Sequence, residues 1–146
     1  MSDPVYFLGI DLGSSSIKTS LFDPNKGKTI DSVTYPDEEM DISSKKKGWA
    51  EQDPKLWWEC IDKSLNSLKK NNNFSFIKSI GISYQMHGLV AVDDAGEPLI
   101  PSIIWCDSRA VDIGNKAEKE IKSNILEKSL LNSPGNFTAS KIKWVM

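Results

Sequence analysis

Arginine and histidine are almost missing from this sequence of 146 residues. Seventeen of the 18 basic residues are lysine, and Arg109 and His87 are the single residues of their types. The formal net charge is −2 and the basic residues form no stripe, so the composition does not indicate a nucleic acid or a membrane surface as a partner. No apolar run approaches the roughly 18 residues of a membrane span. The N-terminal segment carries an acid where a signal peptide has positive charge.

Cysteine is also scarce. Cys60 and Cys106 lie far apart and have no ligand-like spacing, which predicts two free thiols in a cytoplasmic protein. The chain is long enough for one domain with a real core, and its 39% hydrophobic residues are ordinary for such a domain. The single arginine suggests a place where lysine would not serve, because only guanidinium forms a planar, bidentate fork.

Three short apolar segments near the N-terminus predict an antiparallel meander. They cover residues 5–12, 17–23 and 28–36, and the turn sequences GSSS and NKG separate them. Residues 37–49 carry mixed charge without periodicity, which predicts a loop. The pair Asp53 and Pro54 is typical of a helix start.

The segment after Pro54 has apolar residues at helical spacing and ends at three asparagines, residues 71–73, which predicts an amphipathic helix. Its predicted stripe is Leu56, Trp57, Cys60, Ile61, Leu65 and Leu68. The tandem tryptophans Trp57 and Trp58 could stack on a sugar, but at this spacing we expect both to belong to the core.

The second half predicts a mixture of strands and helices. Residues 76–83 follow a helix and predict a buried strand parallel to an earlier one. Residues 88–92 and 99–105 flank a turn-rich connector and predict a hairpin. Residues 110–131 predict a helix with the apolar stripe Val111, Ala117, Ile121 and Ile125, and a final helix begins after a Pro-Gly loop.

The stretch GIDLGSSSIK, residues 9–18, combines features of a phosphate and metal site. Asp11 stands at the end of its strand, and the turn Gly13, Ser14, Ser15 and Ser16 offers backbone N–H groups and hydroxyls without bulky side chains. A carboxylate beside phosphate oxygens suits Mg²⁺, and Lys18 could add positive charge. The P-loop pattern is missing, and a plain hairpin explains these ten residues equally well.

Two polar stretches in the second half suit a polyol. Gln85, Met86 and His87 follow a strand, and a neutral imidazole offers one hydrogen-bond donor and one acceptor. Trp105, Asp107 and Arg109 alternate, so in an extended segment they would share one face and form a wall for a sugar. Taken alone, a structural histidine and a core tryptophan remain the commoner explanations, and Arg109 could serve to orient Asp107.

These stretches, taken in order, resemble the FGGY family of carbohydrate kinases. The likeness rests on GIDLGSSSIK, GWAEQDPKLWW, SYQMHG, IIWCDSR and PGNFTASKIKWV, and it runs through all 146 residues. Within the family, QMHG followed by WCDSR is most similar to xylulokinase. Tyr84 and Cys106 depart from the usual residues, which weakens inferences about the particular sugar.

The resemblance implies an α/β fold of the actin-like ATPase, ribonuclease H-like type, with a mixed sheet, an N-terminal antiparallel meander and flanking helices. Residues 1–146 would be a truncated N-terminal domain, and the ATP-binding C-terminal domain with its general base would be absent. The implied cofactors are ATP and Mg²⁺. The implied reaction is phosphorylation of D-xylulose to D-xylulose 5-phosphate, with negligible activity of this chain alone.

The resemblance also implies roles for residues. It places Gln85, Met86 and His87 in the sugar pocket, and the reasoning from the residues adds Trp105, Asp107 and Arg109 as sugar-binding residues. Asp11 would hold the metal and take part in catalysis, and the reasoning from the residues adds Gly13, Ser14, Ser15, Ser16 and Lys18 as contacts of the ATP phosphates. The partners would be the sugar, the chain's own C-terminal domain and, left open, a second copy in a homodimer. Alternatives are another FGGY kinase acting on ribulose, gluconate, fuculose or glycerol, an actin- or Hsp70-like ATPase module, and a non-catalytic sugar-binding protein.

Overall fold

A computed structural model describes residues 3–121, 128 and 134–146 of the chain. These residues divide into two compact units, one of residues 3–41 and 55–85 and the other of residues 42–54 together with the described residues from 86 onward. The part of the predicted second helix that includes Ile125 lies outside the described residues. Within the described ranges, none of the helices has the length and apolar character that crossing a membrane would require.

The first unit is built on a four-stranded mixed sheet. Its strands are β1 (Tyr6–Leu12), β2 (Ile17–Asp23), β3 (Lys28–Tyr35) and β5 (Ile77–Tyr84), in the order β3-β2-β1-β5. β1 and β2 are antiparallel, as are β2 and β3, whereas β1 and β5 are parallel. The predicted meander and the predicted parallel strand are therefore confirmed.

One face of this sheet contributes to the core together with helix α1 (Pro54–Asn71). Alternate residues of β1 and β2 are buried, as the two-residue period of a strand requires: Leu8, Ile10, Ile17, Thr19 and Leu21. α1 buries Trp57, Cys60, Ser64 and Leu68. Just after α1, the Asn72 amide donates to the Asp31 carboxylate of β3 at 2.6 Å.

Two burial predictions for this unit are wrong. Trp58 is 70% exposed, whereas Trp57 is buried, because neighbouring residues of a helix point about 100° apart and cannot both face one core. β5 was expected to be buried, yet Ile80 and Ile82 are 59% and 64% exposed. β5 lies at the edge of the sheet and has β1 as its single neighbouring strand in the described part of the chain.

The second unit contains less regular structure. β4 (Glu51–Gln52) pairs antiparallel with β6 (Ser102–Ile103). Helix α2 covers Val111–Glu120 and helix α3 covers Thr138–Val145. The predicted hairpin of residues 88–92 and 99–105 is present in reduced form, as antiparallel bridges rather than two full strands. The short strand β4 was not predicted, because two residues are too few to show an alternating pattern.

α2 ends earlier than predicted. The predicted helix ran from residue 110 to 131, but the backbone at Ile121 is extended, so α2 stops at Glu120. The helix packs closely on the Pro-Gly turn that precedes α3. A Cβ atom added to Gly114 would lie 2.3 Å from the Cα atom of Gly135, so only glycine permits this approach.

Candidate functional site

In the first unit, Asp11 lies on the sheet face opposite to the buried residues. A shallow groove of about 410 Å³ follows this face across three strands. The residues that line it are Gly9, Ile10, Asp11, Lys18, Ser20, Gly81, Ile82 and Ser83. Asp11 and Lys18 are directly opposite each other in the β1–β2 register, so a carboxylate and an ammonium group border the same groove.

The turn between β1 and β2 is tight. The Gly13 N–H donates to the Ser16 carbonyl at 3.1 Å, and a Cβ atom at Gly13 would lie 2.9 Å from that oxygen. The Ser15 carbonyl accepts from the Met40 N–H at 2.8 Å, which anchors the turn to the following loop. The N–H of Gly13 thus closes the turn, and any phosphate contact would fall to the other donors of the turn.

The described residues are better suited to a metal ion that also binds substrate phosphates than to a metal ion held by protein ligands alone. Within residues 3–121, 128 and 134–146, no group of three or more His, Cys, Asp or Glu side chains is arranged to hold a metal ion. Mg²⁺ commonly binds through one or two carboxylates and completes its shell with water and substrate phosphates. The exposed carboxylate of Asp11 beside the serine turn suits that mode of binding.

Gln85 follows β5 and continues its pairing with β1. Its backbone N–H donates to the Leu12 carbonyl at 3.0 Å. Both polar atoms of its side-chain amide, Nε2 and Oε1, are buried without a hydrogen-bond partner among the described residues. Buried amides are nearly always satisfied in folded proteins, so this side chain is suited to bind a polar ligand.

His87, in the second unit, has an unusual backbone. Its φ is +62°, and it is the sole non-glycine residue with positive φ in the described part of the chain. Its ring stacks on Phe137, with 4.6 Å between ring centroids and 15° between ring planes. The preceding Met86 is 69% exposed, and His87 is exposed as well. The segment therefore presents two side chains to solvent from a constrained backbone.

α3 fixes the backbone of this segment. The ammonium of Lys141 donates to the carbonyls of His87 at 2.6 Å and of Ile104 at 3.0 Å. The Thr138 hydroxyl donates to the Gly88 carbonyl at 3.1 Å. Sequence analysis missed these two residues. A lysine in an amphipathic helix is usually a solvated one, and the sequence carries no signal that this one is buried.

Arg109 and Asp107 form a pair joined by three side-chain hydrogen bonds. The Nε atom of Arg109 donates to both Asp107 carboxylate oxygens, at 2.9 and 3.0 Å, and Nη2 donates to Oδ2 at 2.7 Å. Nη2 also lies 2.9 Å from Glu51 Oε1. The guanidinium carbon is 3.7 Å from the ring centroid of Trp49 and 5.0 Å from that of Trp144. Two carboxylates and two aromatic rings thus surround a planar cation, as expected for a position that lysine could not fill.

Asp107 is fully buried, and the pKa of its carboxyl group is affected in two opposing ways. Burial alone would raise it, but hydrogen bonds from the Arg109 side chain and from the backbone N–H groups of Ala50 and Arg109 lower it below its ordinary value. The bond from the Ala50 N–H is 2.6 Å long. The carboxylate is therefore charged and held by donors of its own chain.

Trp105 does not share a face with Asp107 and Arg109, so the predicted arrangement is wrong. β6 ends at Ile103, and the Asp107 N–H donates to the Ile104 carbonyl at 3.1 Å, which closes a turn. The turn breaks the alternation of an extended segment. Trp105 is consequently 51% exposed, whereas the side chains of Asp107 and Arg109 are 0% and 3% exposed.

Comparison with known proteins assigns the chain to a family. Residues 6–146 match the sequence profile of the FGGY family of carbohydrate kinases, N-terminal domain. The chain belongs to this family. A crystal structure of a xyloylose kinase from Brucella ovis superposes on 96% of the chain with a TM-score of 0.83 and 31% sequence identity. This FGGY chain therefore has the predicted α/β fold of the actin-like ATPase type, with its mixed sheet.

Relatives with different substrates in their names are about equally similar to this FGGY chain. The xylulose kinase of Klebsiella pneumoniae is 33% identical over 139 residues, which cover 95% of the chain and 28% of that enzyme. The glycerol kinase of Aquifex aeolicus is 34% identical over 140 residues, which cover 95% of the chain and 27% of that enzyme. The chain thus spans little more than a quarter of the length of these relatives.

Proposed function

We propose that the complete protein carrying this chain is a xylulokinase that transfers the γ-phosphoryl group of ATP to D-xylulose and gives D-xylulose 5-phosphate. Membership of the FGGY family supports the reaction class, and the similarity to xylulose kinases supports the sugar. The rest of the protein would supply the ATP-binding domain and the general base. This chain would contribute part of the sugar site and part of the phosphate site.

The observation that carries the proposal is the exposed pair Met86 and His87 on a constrained backbone. A polyol needs apolar contact and hydrogen-bonding groups at fixed positions, and these two side chains offer both. A ring stacked on Phe137 cannot turn freely, so its nitrogen atoms keep their direction before the sugar binds. His87 would bind one sugar hydroxyl, and Met86 would contact the carbon skeleton.

We assign the other sugar contacts by the same reasoning. Gln85 would use its buried, unpartnered amide to bind a hydroxyl, since that amide has one acceptor and two donors to satisfy. Trp105, half exposed, would provide an apolar wall. A direct sugar contact for Asp107 and Arg109 stays a prediction. Their burial favours the alternative that Arg109 orients Asp107 and that the pair shapes the turn holding Trp105.

The phosphate side of the reaction would involve the first unit. Asp11 would hold Mg²⁺ through its carboxylate, and the hydroxyls of Ser14, Ser15 and Ser16 with the ammonium of Lys18 would face phosphate oxygens. Gly13 would allow the turn to close. Bound Mg²⁺ would neutralise charge on the phosphates, which is a main part of catalysis in phosphoryl transfer. The first unit would therefore concentrate positive charge near Asp11.

A second candidate substrate is glycerol, because the glycerol kinase of Aquifex aeolicus, at 34% identity, is as similar to this chain as the xylulose kinase of Klebsiella pneumoniae, at 33%. For either substrate we propose a cytoplasmic enzyme, which agrees with two free cysteines, Cys60 and Cys106. A homodimer stays a prediction.

The decisive experiment measures sugar-dependent ADP release by the complete gene product with Mg·ATP. The substrates are D-xylulose, D-ribulose, gluconate and glycerol, and the variants are His87→Ala and, as a control, Lys116→Ala on the exposed side of α2. We expect the complete protein to prefer D-xylulose. His87→Ala should lower kcat/KM for D-xylulose about 10²-fold, and Lys116→Ala should leave it unchanged. A preference for another sugar would refute the assignment of D-xylulose as the substrate. The absence of any sugar-dependent ADP release would refute the assignment of kinase activity.

A further inference from the structure

Lys141 is an unexpected residue to find in a protein core. It lies on α3, its side chain is fully buried, and its ammonium contacts two backbone carbonyls. Lysine is almost never fully buried unless its charge is paired, because removing an ammonium from water is costly. Burial lowers the pKa of Lys141, and the nearby Asp107 opposes this only in part. A neutral apolar side chain would fill the same space without that cost.

The two carbonyls belong to the two stretches to which the sugar contacts were assigned. One is the carbonyl of His87, and the other is that of Ile104, which directly precedes the exposed Trp105. These residues lie 17 positions apart in sequence, and a single ammonium group holds both. The charge of Lys141 thus acts on the site through backbone oxygen atoms rather than through a carboxylate.

The contact at His87 falls on a strained residue. A non-glycine residue at φ +62° carries an unfavourable conformational energy, which persists only where the surroundings impose it. Three neighbours on the α3 segment supply that constraint: Lys141 at the His87 carbonyl, Thr138 at the Gly88 carbonyl, and Phe137 against the imidazole ring. Of these, the ammonium makes the shortest hydrogen bond, and it is the group whose burial is hardest to explain by packing alone.

We propose that Lys141 is a positioning residue for sugar binding: its buried ammonium holds the backbone of His87 in the left-handed conformation and fixes the start of the Trp105 turn. The inference rests on the proposed function in that it takes His87 as a sugar contact. Lys141 touches no substrate atom in this scheme. Its effect should therefore fall on the affinity for the sugar and leave the affinity for ATP unchanged.

The test compares Lys141→Met with Lys143→Met in the complete protein. Methionine keeps the unbranched shape of the Lys141 side chain and removes its donors, and Lys143 is an exposed lysine on the same helix. We expect Lys141→Met to raise the KM for the sugar about 10-fold or more while the KM for ATP changes less than about twofold. Lys143→Met should change neither. A purely structural role would lower the melting temperature but leave the sugar KM of the folded enzyme unchanged, which would overturn the proposal.

A second measurement follows the imidazole of His87 directly. In histidine-labelled protein, the NMR signal that disappears in His87→Ala identifies this ring. We expect the chemical shifts of the ring to move in Lys141→Met and to stay in place in Lys143→Met. Unchanged shifts in Lys141→Met would overturn the inference whether or not the protein phosphorylates a sugar, so its failure is distinguishable from failure of the proposed function.

Thr138→Val keeps the proposal testable if Lys141→Met does not fold. Valine preserves the shape of threonine and removes the hydroxyl that donates to the Gly88 carbonyl. We expect a smaller rise in the sugar KM, about two- to fivefold, with a shift of the His87 signal in the same direction. A sugar KM and a His87 signal that both stay unchanged in Thr138→Val, while His87→Ala raises the sugar KM, would overturn the positioning role and leave the sugar contact of His87 intact.

Discussion

Replacement of Arg109 by lysine provides the sharpest test of how the second unit is held together. Arg109→Lys keeps the positive charge and the apolar stem, so it isolates the contribution of the guanidinium plane. In the structure that plane contacts Asp107 through two nitrogen atoms, contacts Glu51 through Nη2 and lies over the ring of Trp49. The ammonium group of a lysine can hydrogen-bond to one of these partners with good geometry, but it cannot contact all of them at once.

The expected magnitude follows from those contacts. Leaving one partner of a buried ion pair uncompensated costs about 3–5 kcal/mol, which is our expectation for Arg109→Ala. Lysine retains a charge beside Asp107, but it loses at least one charge-assisted hydrogen bond, worth about 1.5–3 kcal/mol, together with the stacking on Trp49. We therefore expect Arg109→Lys to lower the free energy of unfolding by about 2–3 kcal/mol.

Urea unfolding, followed by tryptophan fluorescence, measures this difference. Trp49 and Trp144 flank the guanidinium, so two of the five tryptophans that contribute to the emission report on the cluster itself. The control is Lys116→Ala, which removes an exposed ion pair with 4.0 Å between Lys116 Nζ and Glu120 Oε1, and should cost less than about 0.5 kcal/mol. A loss below about 0.5 kcal/mol for Arg109→Lys as well would refute the argument that the arginine is there for its planar fork.

Two further stability predictions follow from the structure. Gly114→Ala should lower the free energy of unfolding by about 2–4 kcal/mol, because its Cβ would meet the backbone at Pro134 and Gly135, whereas Gly81→Ala, with nothing within 4 Å, should be nearly neutral in the same urea titration. Since the pKa of Asp107 is lowered in the folded state, its contribution to stability is present above its unfolded pKa and is lost as the pH falls through the lowered value. Urea unfolding measured from about pH 5 down to about pH 2.5 should accordingly show a shallower acid-induced loss of stability in Asp107→Asn, and an unchanged slope would contradict this assignment.

Local sequence patterns were sufficient for much of the first unit. The strands of the meander are bounded by turns, and α1 starts at Pro54 as predicted. Such features depend on neighbours a few residues apart, which a sequence displays directly. The isolated Arg109 was also informative, because the prediction concerned the chemistry of guanidinium rather than a position in space.

Burial and long-range pairing were harder to predict, for physical reasons. The apolar residues Ile80 and Ile82 indicated a buried strand, but exposure of an edge strand depends on which other elements flank it. The interpretation of Trp105 failed because one turn hydrogen bond, from the Asp107 N–H to the Ile104 carbonyl, changes the direction of the chain. Lys141 could not be identified at all, since its partners lie 54 and 37 residues away along the sequence.

Arg109 and Lys141 show how differently two buried cations behave in one unit. Burial alone would lower the pKa of Arg109, but hydrogen bonds to Asp107 and Glu51 raise it above its ordinary value, so its charge is compensated and stabilises the fold. Lys141 has neutral carbonyls as its hydrogen-bond acceptors, and its pKa is lowered. The burial of the compensated Arg109 charge is explained by its contribution to the stability of the fold. An ammonium that burial penalises, and that binds the backbone of the strained His87, is better explained by the geometry it imposes, which is why we expect its loss to affect sugar affinity specifically.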